Sequence, residues 1–143
     1  MTFVPGLSVI IPCFNEADRL TDTLAKIREF TTSTTGFSAA DLEWIFVDDG
    51  SSDGTLGILQ AHATRTPHTH VVALPMNKGK GAAVLAGDTH ARAPIRVFTD
   101  CDLATPLSAL EEIPHLFEDC GADLVIGSRH TPWSSLVRPQ PWA

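Results

Sequence analysis

No stretch of this chain approaches the roughly 18 consecutive apolar residues that a membrane-crossing helix needs. Nor does the N-terminus carry the basic start and long apolar segment of a secretion signal. The expected location is cytoplasmic, with any membrane contact peripheral and on the cytoplasmic face. Positive charge is also scarce: 10 Lys and Arg stand against 17 Asp and Glu, a formal net charge of -7. The basic residues are scattered, whereas a nucleic-acid backbone demands clustered ones, so no nucleic-acid partner is expected. Cysteine is sparse too. Cys13, Cys101 and Cys120 are odd in number and lack CxxC spacing, which argues against a disulfide framework or zinc site and for buried or idle thiols. His68 and His70 are close enough for a metal but have no third ligand nearby, and read as surface residues.

What the chain does contain fits a single domain over residues 1–143, since 43% hydrophobic and 19% charged residues at this length can bury a core. Short β-branched runs bounded by turn residues recur at Leu7 to Cys13, Trp44 to Val47, Val71 to Leu74, Ile95 to Thr99 and Leu124 to Ile126, and predict five strands. Helical spacing fills the gaps. Leu20, Leu24, Ile27 and Phe30 share a face behind Asp18 as N-cap. Thr55 to Arg65 follows Gly54, Ala82 to Ala91 follows Gly81, and Leu107 to Cys120 starts behind Pro106. Such alternation implies right-handed crossovers and an α/β fold, a mostly parallel sheet with helices on both faces. From Ser128 onward the residues show no periodicity, and the domain is expected to be truncated at its C-terminus.

Each polar motif (Pro12 to Glu16, Asp48 to Thr55, Asn77 to Gly81, Asp100 to Asp102) follows a predicted strand, so one fold would gather them at the carboxyl ends, where open α/β sheets bind ligands. Asp100-Cys101-Asp102 presents two carboxylates one residue apart. Hard oxygen donors of this kind suit Mg2+ or Mn2+ shared with phosphate oxygens. In the second motif Asp49, Ser51, Asp53 and Gly54 follow an EF-hand loop, but Gln60 stands where its bidentate Glu belongs, and a strand precedes it. As a ligand edge, Asp48 or Asp49 can accept hydrogen bonds from a base N–H or ribose hydroxyls. The third motif fits neither GxGxxG, because Val84 takes the third glycine position, nor the P-loop. Its two lysines at a helix mouth can still neutralise a diphosphate or cover a base.

In order and spacing, Val9 to Glu16, Val47 to Thr55, Asn77 to Gly81 and Asp100 to Asp102 together resemble the family 2 inverting glycosyltransferases of the Rossmann-like GT-A fold. Asp102 to Pro106 and Gly121 to Arg129 are further similar to the branch that glucosylates dolichyl or polyprenyl phosphate, with the mannosyltransferase branch close behind. The resemblance implies that Phe14 and Glu16 border the base and ribose, with Pro12 in the same nucleotide-binding segment. It implies that Asp48 or Asp49 binds the nucleoside and that Lys80 faces the base or diphosphate. Asp100 and Asp102 would hold the metal and the sugar, Asp102 as the direct ligand. The catalytic pair would be Asp102 and Arg129, the latter meeting the acceptor phosphate. Cys101 departs from the Ala common between the two aspartates, and the family continues well past the Gly127-Ser128-Arg129 segment.

The activity implied is metal-dependent, inverting transfer of glucose from UDP-glucose to a polyprenyl or dolichyl phosphate. Transfer of mannose from GDP-mannose is the alternative, as is a truncated fragment that binds nucleotide without turnover. An acceptor phosphate is already anionic and attacks without a general base, held in line by Arg129 or Arg138. A nucleotidyltransferase would need a glycine-rich loop after the first strand, which Pro12 to Glu16 does not supply.

Overall fold

Seven residues, Leu7–Cys13, six of them buried, form the strand (β1) around which the first part of the chain is arranged. A computed structural model describes residues 6–35 and 41–128. The chain divides into two units, Met1–Glu111 and Glu112–Ala143. In the first, β1 is followed by α1 (Ala17–Ser33), β2 (Leu42–Asp48), α2 (Thr55–Ala63), β3 (Thr69–Ala73), α3 (Lys80–Asp88), β4 (Ile95–Phe98) and a 3-10 turn at Leu107–Glu111. All four strands are parallel, in the order β3-β2-β1-β4. Cys13 pairs with Asp48 and Asp48 with Ala73, which aligns the carboxyl ends of three strands.

Burial explains why these runs become strands. Every residue of β2 is buried, as expected of a parallel strand covered on both faces. On one face Ile10, Ile45 and Val47 form a cluster with Ala83 of α3. That helix rides close to the sheet: a Cβ on Gly87 would stand 2.4 Å from the Ile10 Cγ2. On the other face Phe46 meets the His62 ring of α2 edge-on, centroids 6.0 Å apart, and α2 packs against α1.

Burial, with the Arg28 charge in support, holds His62 below the usual imidazole pKa. The unfolded chain therefore takes up this proton first, near pH ~6.5. Stability linked to His62 is complete above that pH and is lost as pH falls through the depressed folded value. The urea midpoint of the native chain should decline between about pH 7 and pH 5.5, and His62→Leu should flatten that decline.

Several boundaries differ from those the sequence predicts. α1 begins at Ala17 rather than behind Asp18, and α3 at Lys80 rather than Ala82, because side chains distant in sequence satisfy the backbone there. α2 ends at Ala63, two residues early, where the Thr64 hydroxyl turns back onto the Ala61 carbonyl. Leu107 to Cys120 is not one helix. Pro114 lacks an N–H and would clash with the carbonyl four residues back, so the 3-10 turn ends and α4 (Ile113–Cys120) restarts with Pro114 in its first turn. Within the second unit α4 stops at Gly121, left-handed at φ 59°, whose N–H bonds the Phe117 carbonyl. The predicted strand Leu124 to Ile126 does not form. Leu124 and Ile126 are 73% and 77% exposed and pair with no strand, and three residues have little β preference without a partner.

Candidate functional site

From β1 the chain steps one way to β2 and β3, then returns to place β4 on the other side of β1. The carboxyl ends of β1 and β4 therefore flank the topological switch point, where loops diverge and leave a crevice. A cavity of about 380 Å³ lies there. Pro12, Phe14 and Glu16 line it from the end of β1, Asp49 from β2, Lys80 from the mouth of α3, and Asp100 and Asp102 from the loop after β4. All four polar motifs thus contribute to one cavity.

The loops are held by side chains that reach across them. Asn15 sits at φ 53°, a region Asn tolerates better than most residues. Its N–H donates to the Ser51 Oγ at 2.9 Å, and its Oδ1 accepts from the Ser52 N–H at 2.9 Å. The Glu16 N–H donates to Thr55 Oγ1 at 2.8 Å. Asp53 accepts from the N–H groups of both Ala17 and Thr55, so one carboxylate caps α1 and α2 together. Hydrogen bonding to Thr55 holds its pKa below the usual carboxylate range.

Asp49, 3% exposed, accepts hydrogen bonds at 2.8 Å from the N–H groups of Lys78 and Gly79 and so fixes the Asn77–Gly81 loop. Asp48 is buried beside it, with one oxygen accepting from the Ser51 N–H at 3.2 Å. Its Oδ1 has no hydrogen-bond partner among the described residues, and Asp48 is not part of the cavity lining. Lys80 reaches across to Asp100, its ammonium bonded to the carboxylate and 5.5 Å from the centre of the Phe98 ring. Asp102 is exposed, and its Oδ1 accepts from the Ala104 N–H at 3.0 Å. Between them Leu103 is held at φ 52°, unfavourable for its side chain.

Cys13 and Cys101, buried as expected, meet on the cavity floor, the Cys13 thiol donating to the Cys101 sulfur at 3.6 Å. That bond pushes the Cys13 pKa up and the Cys101 pKa down. Sequence reasoning missed this contact, since no spacing joins residues 88 positions apart. It also missed Arg19 in the lining, whereas Asn77 enters it as part of the expected Asn77 to Gly81 motif. Arg19 was legible as the i+3 neighbour of Glu16, from which it stands 3.8 Å. His70 lies 3.4 Å from Glu43 and is half-exposed. Arg129 and Arg138 lie outside the described residues.

Among the described residues no group of three or more His, Cys, Asp and Glu is arranged to hold a metal ion. Asp100 and Asp102 offer hard oxygen donors on one cavity wall, too few to enclose a cation by themselves. That donor set fits Mg2+ or Mn2+, which keep waters and take phosphate oxygens beside one or two carboxylates.

Residues 8–135 match the family described as Glycosyl transferase family 2. The chain belongs to that family. This family 2 chain is 34% identical over 125 residues to a prophage bactoprenol glucosyl transferase homolog of Escherichia coli K12, covering 86% of the chain and 39% of that relative. To a dolichyl-phosphate beta-glucosyltransferase of Trichomonas vaginalis it is 33% identical over 128 residues, 86% of the chain and 40% of the relative. Among solved structures it resembles a mannosyltransferase from Pyrobaculum calidifontis in complex with GDP-Man and Mn2+, with a TM-score of 0.60 and 31% identity over 71% of this chain and 28% of that one. S. aureus TarS 1-349 in complex with UDP-GlcNAc matches at a TM-score of 0.62 and 22% identity, over 82% and 32%, and supports the GT-A-like fold alone. The family 2 chain spans well under half the length of these relatives. The family and the α/β fold expected from the motifs are both borne out.

Proposed function

We propose that this chain forms the donor-binding part of a metal-dependent inverting glycosyltransferase that moves glucose from UDP-glucose to a polyprenyl phosphate. The observation that carries the reading is the convergence of the four strand-end motifs on one cavity at the switch point. Relatives named as bactoprenol and dolichyl-phosphate glucosyltransferases support the sugar and the acceptor. A GDP-mannose donor is the second reading, favoured by the likeness to the mannosyltransferase with GDP-Man and Mn2+.

In this reading Phe14, exposed at the cavity rim, packs against the base, and Pro12 and Glu16 border the base and ribose. Asp49 positions the Asn77–Gly81 loop against the diphosphate while Asp48 or Asp49 accepts from the nucleoside. Asp100 and Asp102 hold Mg2+ or Mn2+, with Asp102 the direct ligand; the ion supplies Lewis-acid stabilisation of the departing diphosphate. The acceptor phosphate needs no proton removed before it attacks the anomeric carbon, so a single displacement inverts that centre. Arg129 meets the attacking phosphate with a planar fork suited to its oxygens. Acceptors of this kind reside in membranes, so the reading places the chain against the cytoplasmic face.

Calorimetric titration with UDP-glucose and GDP-mannose, each with and without Mn2+, tests the proposal. Mn2+-dependent binding of UDP-glucose is expected, weakened about 100-fold in Asp102→Asn, since even outer-shell changes at metal sites cost 10- to 100-fold. Folded chain that binds neither donor with Mn2+ present would overturn the reading.

A further inference from the structure

Lys80 is the first residue of α3, where the positive end of the helix dipole disfavours a cation, yet its ammonium is held there by Asp100 and the Phe98 ring. Arg19, the other cation lining the cavity among the described residues, leans on Glu16 instead. Asp102, on the same wall, is bonded to the Ala104 N–H. One of the two carboxylates suited to a divalent ion is thus already paired with a positive charge. We infer that Lys80 is a built-in counter-ion for Asp100, which a divalent cation displaces and a diphosphate draws away.

The inference rests on the donor-site reading above and adds an order to it. In the free protein Lys80 and the divalent ion compete for Asp100, so the ion binds weakly. A diphosphate offers Lys80 another anion at the mouth of α3, beside Gly79 and Gly81, whose missing side chains leave room. Release of Asp100 then favours the ion, and by linkage the ion favours the nucleotide by the same factor. Lys80 and Asp100 have side chains 54% and 51% exposed, so exchange of partners needs no rearrangement of the core.

Mn2+ binding, read by electron paramagnetic resonance with and without UDP, tests this in the native chain, Lys80→Gln and Lys80→Arg. Without UDP, Lys80→Gln should bind Mn2+ about two- to tenfold more tightly, the range expected when a half-exposed competing charge is removed. UDP should then strengthen Mn2+ binding less than in the native chain, while Lys80→Arg, which keeps the charge, should stay close to native. Unchanged or weaker Mn2+ binding by free Lys80→Gln would overturn the inference and leave the donor-site reading standing. Failure of the native chain to bind Mn2+ even with UDP would overturn both.

Discussion

Gly50→Ala is expected to cost about 3 kcal/mol or more, a large part of the stability of an ordinary domain. The residue lies at φ 68°, and a Cβ there would stand 2.4 Å from the Met76 carbonyl carbon and 2.6 Å from the Asn77 nitrogen. Those atoms are backbone and cannot rotate aside, so the loops after β2 and β3 would have to separate. Left-handed strain adds about 1–2 kcal/mol and overpacking about 1–3 kcal/mol. Separation would also stretch the bonds from Asp49 to Lys78 and Gly79, which shape the cavity wall. Urea denaturation should show the midpoint fall, and surviving folded protein should bind nucleotide poorly. Gly57→Ala is the control. Nothing lies within 4 Å of its Cβ, and alanine inside α2 should add about 0.5–1 kcal/mol.

The second large effect is expected at the opposite end of the sheet. Glu43 is fully buried in β2, where it accepts from the Ser8 hydroxyl at 2.6 Å and from the Arg92 N–H at 3.0 Å and Nε at 2.6 Å. Burial alone would raise its pKa, but the bonds from Ser8 and Arg92 outweigh it and hold the group charged. Ser8 in turn accepts from the Ala93 N–H, so the carboxylate ties β1 and β2 to the segment leading into β4. Glu43→Ala leaves buried donors unanswered and should cost about 2–4 kcal/mol, because each hydrogen bond to a charged group is worth about 1.5–3 kcal/mol. Glu43 precedes Asp48 by five residues, about 16 Å along the strand. The variant's folded fraction should therefore bind nucleotide as the native chain does, which separates it from Gly50→Ala in the same titration.

The central strand was legible where burial on both faces forced a run of branched residues, and Leu7–Cys13 was delimited by sequence alone. Ile95–Phe98, an edge strand with half-buried and exposed residues alternating, was delimited to within one residue by its short apolar run. β2 reached further than its apolar run because Glu43 and Asp48 are buried within it, and a polar side chain does not announce that it will be satisfied at long range. Helix starts were missed for the same reason: Asp53 caps Ala17 and Asp49 fixes Gly79 across 36 and 30 positions. The break before α4 is written in Pro114, although helical spacing runs on through it from Leu107. In the site, type and order of the motifs gave their meeting place. They did not tell which carboxylate would be engaged internally, a matter of loop geometry that put Asp49 on two backbone N–H groups and Asp100 on Lys80.

β1 joins β4 through residues 88 positions apart, as in the pairing of Leu7 with Ile95, after β2 and β3 have been added on its other side. Closing so long a loop is paid in chain entropy before any contact repays it, and folds dominated by such pairings assemble slowly. Docking of β4 also brings Asp100 and Asp102 to the crevice, so the carboxylate wall is completed only with this most distant pairing. An intermediate holding β1, β2 and β3 would already have the Asp49 clamp on the Asn77–Gly81 loop while the wall was still absent. Recovery of the carboxylate wall on refolding therefore reports closure of the β1–β4 seam, whereas the Phe46–His62 packing, which joins β2 to α2, does not require that seam.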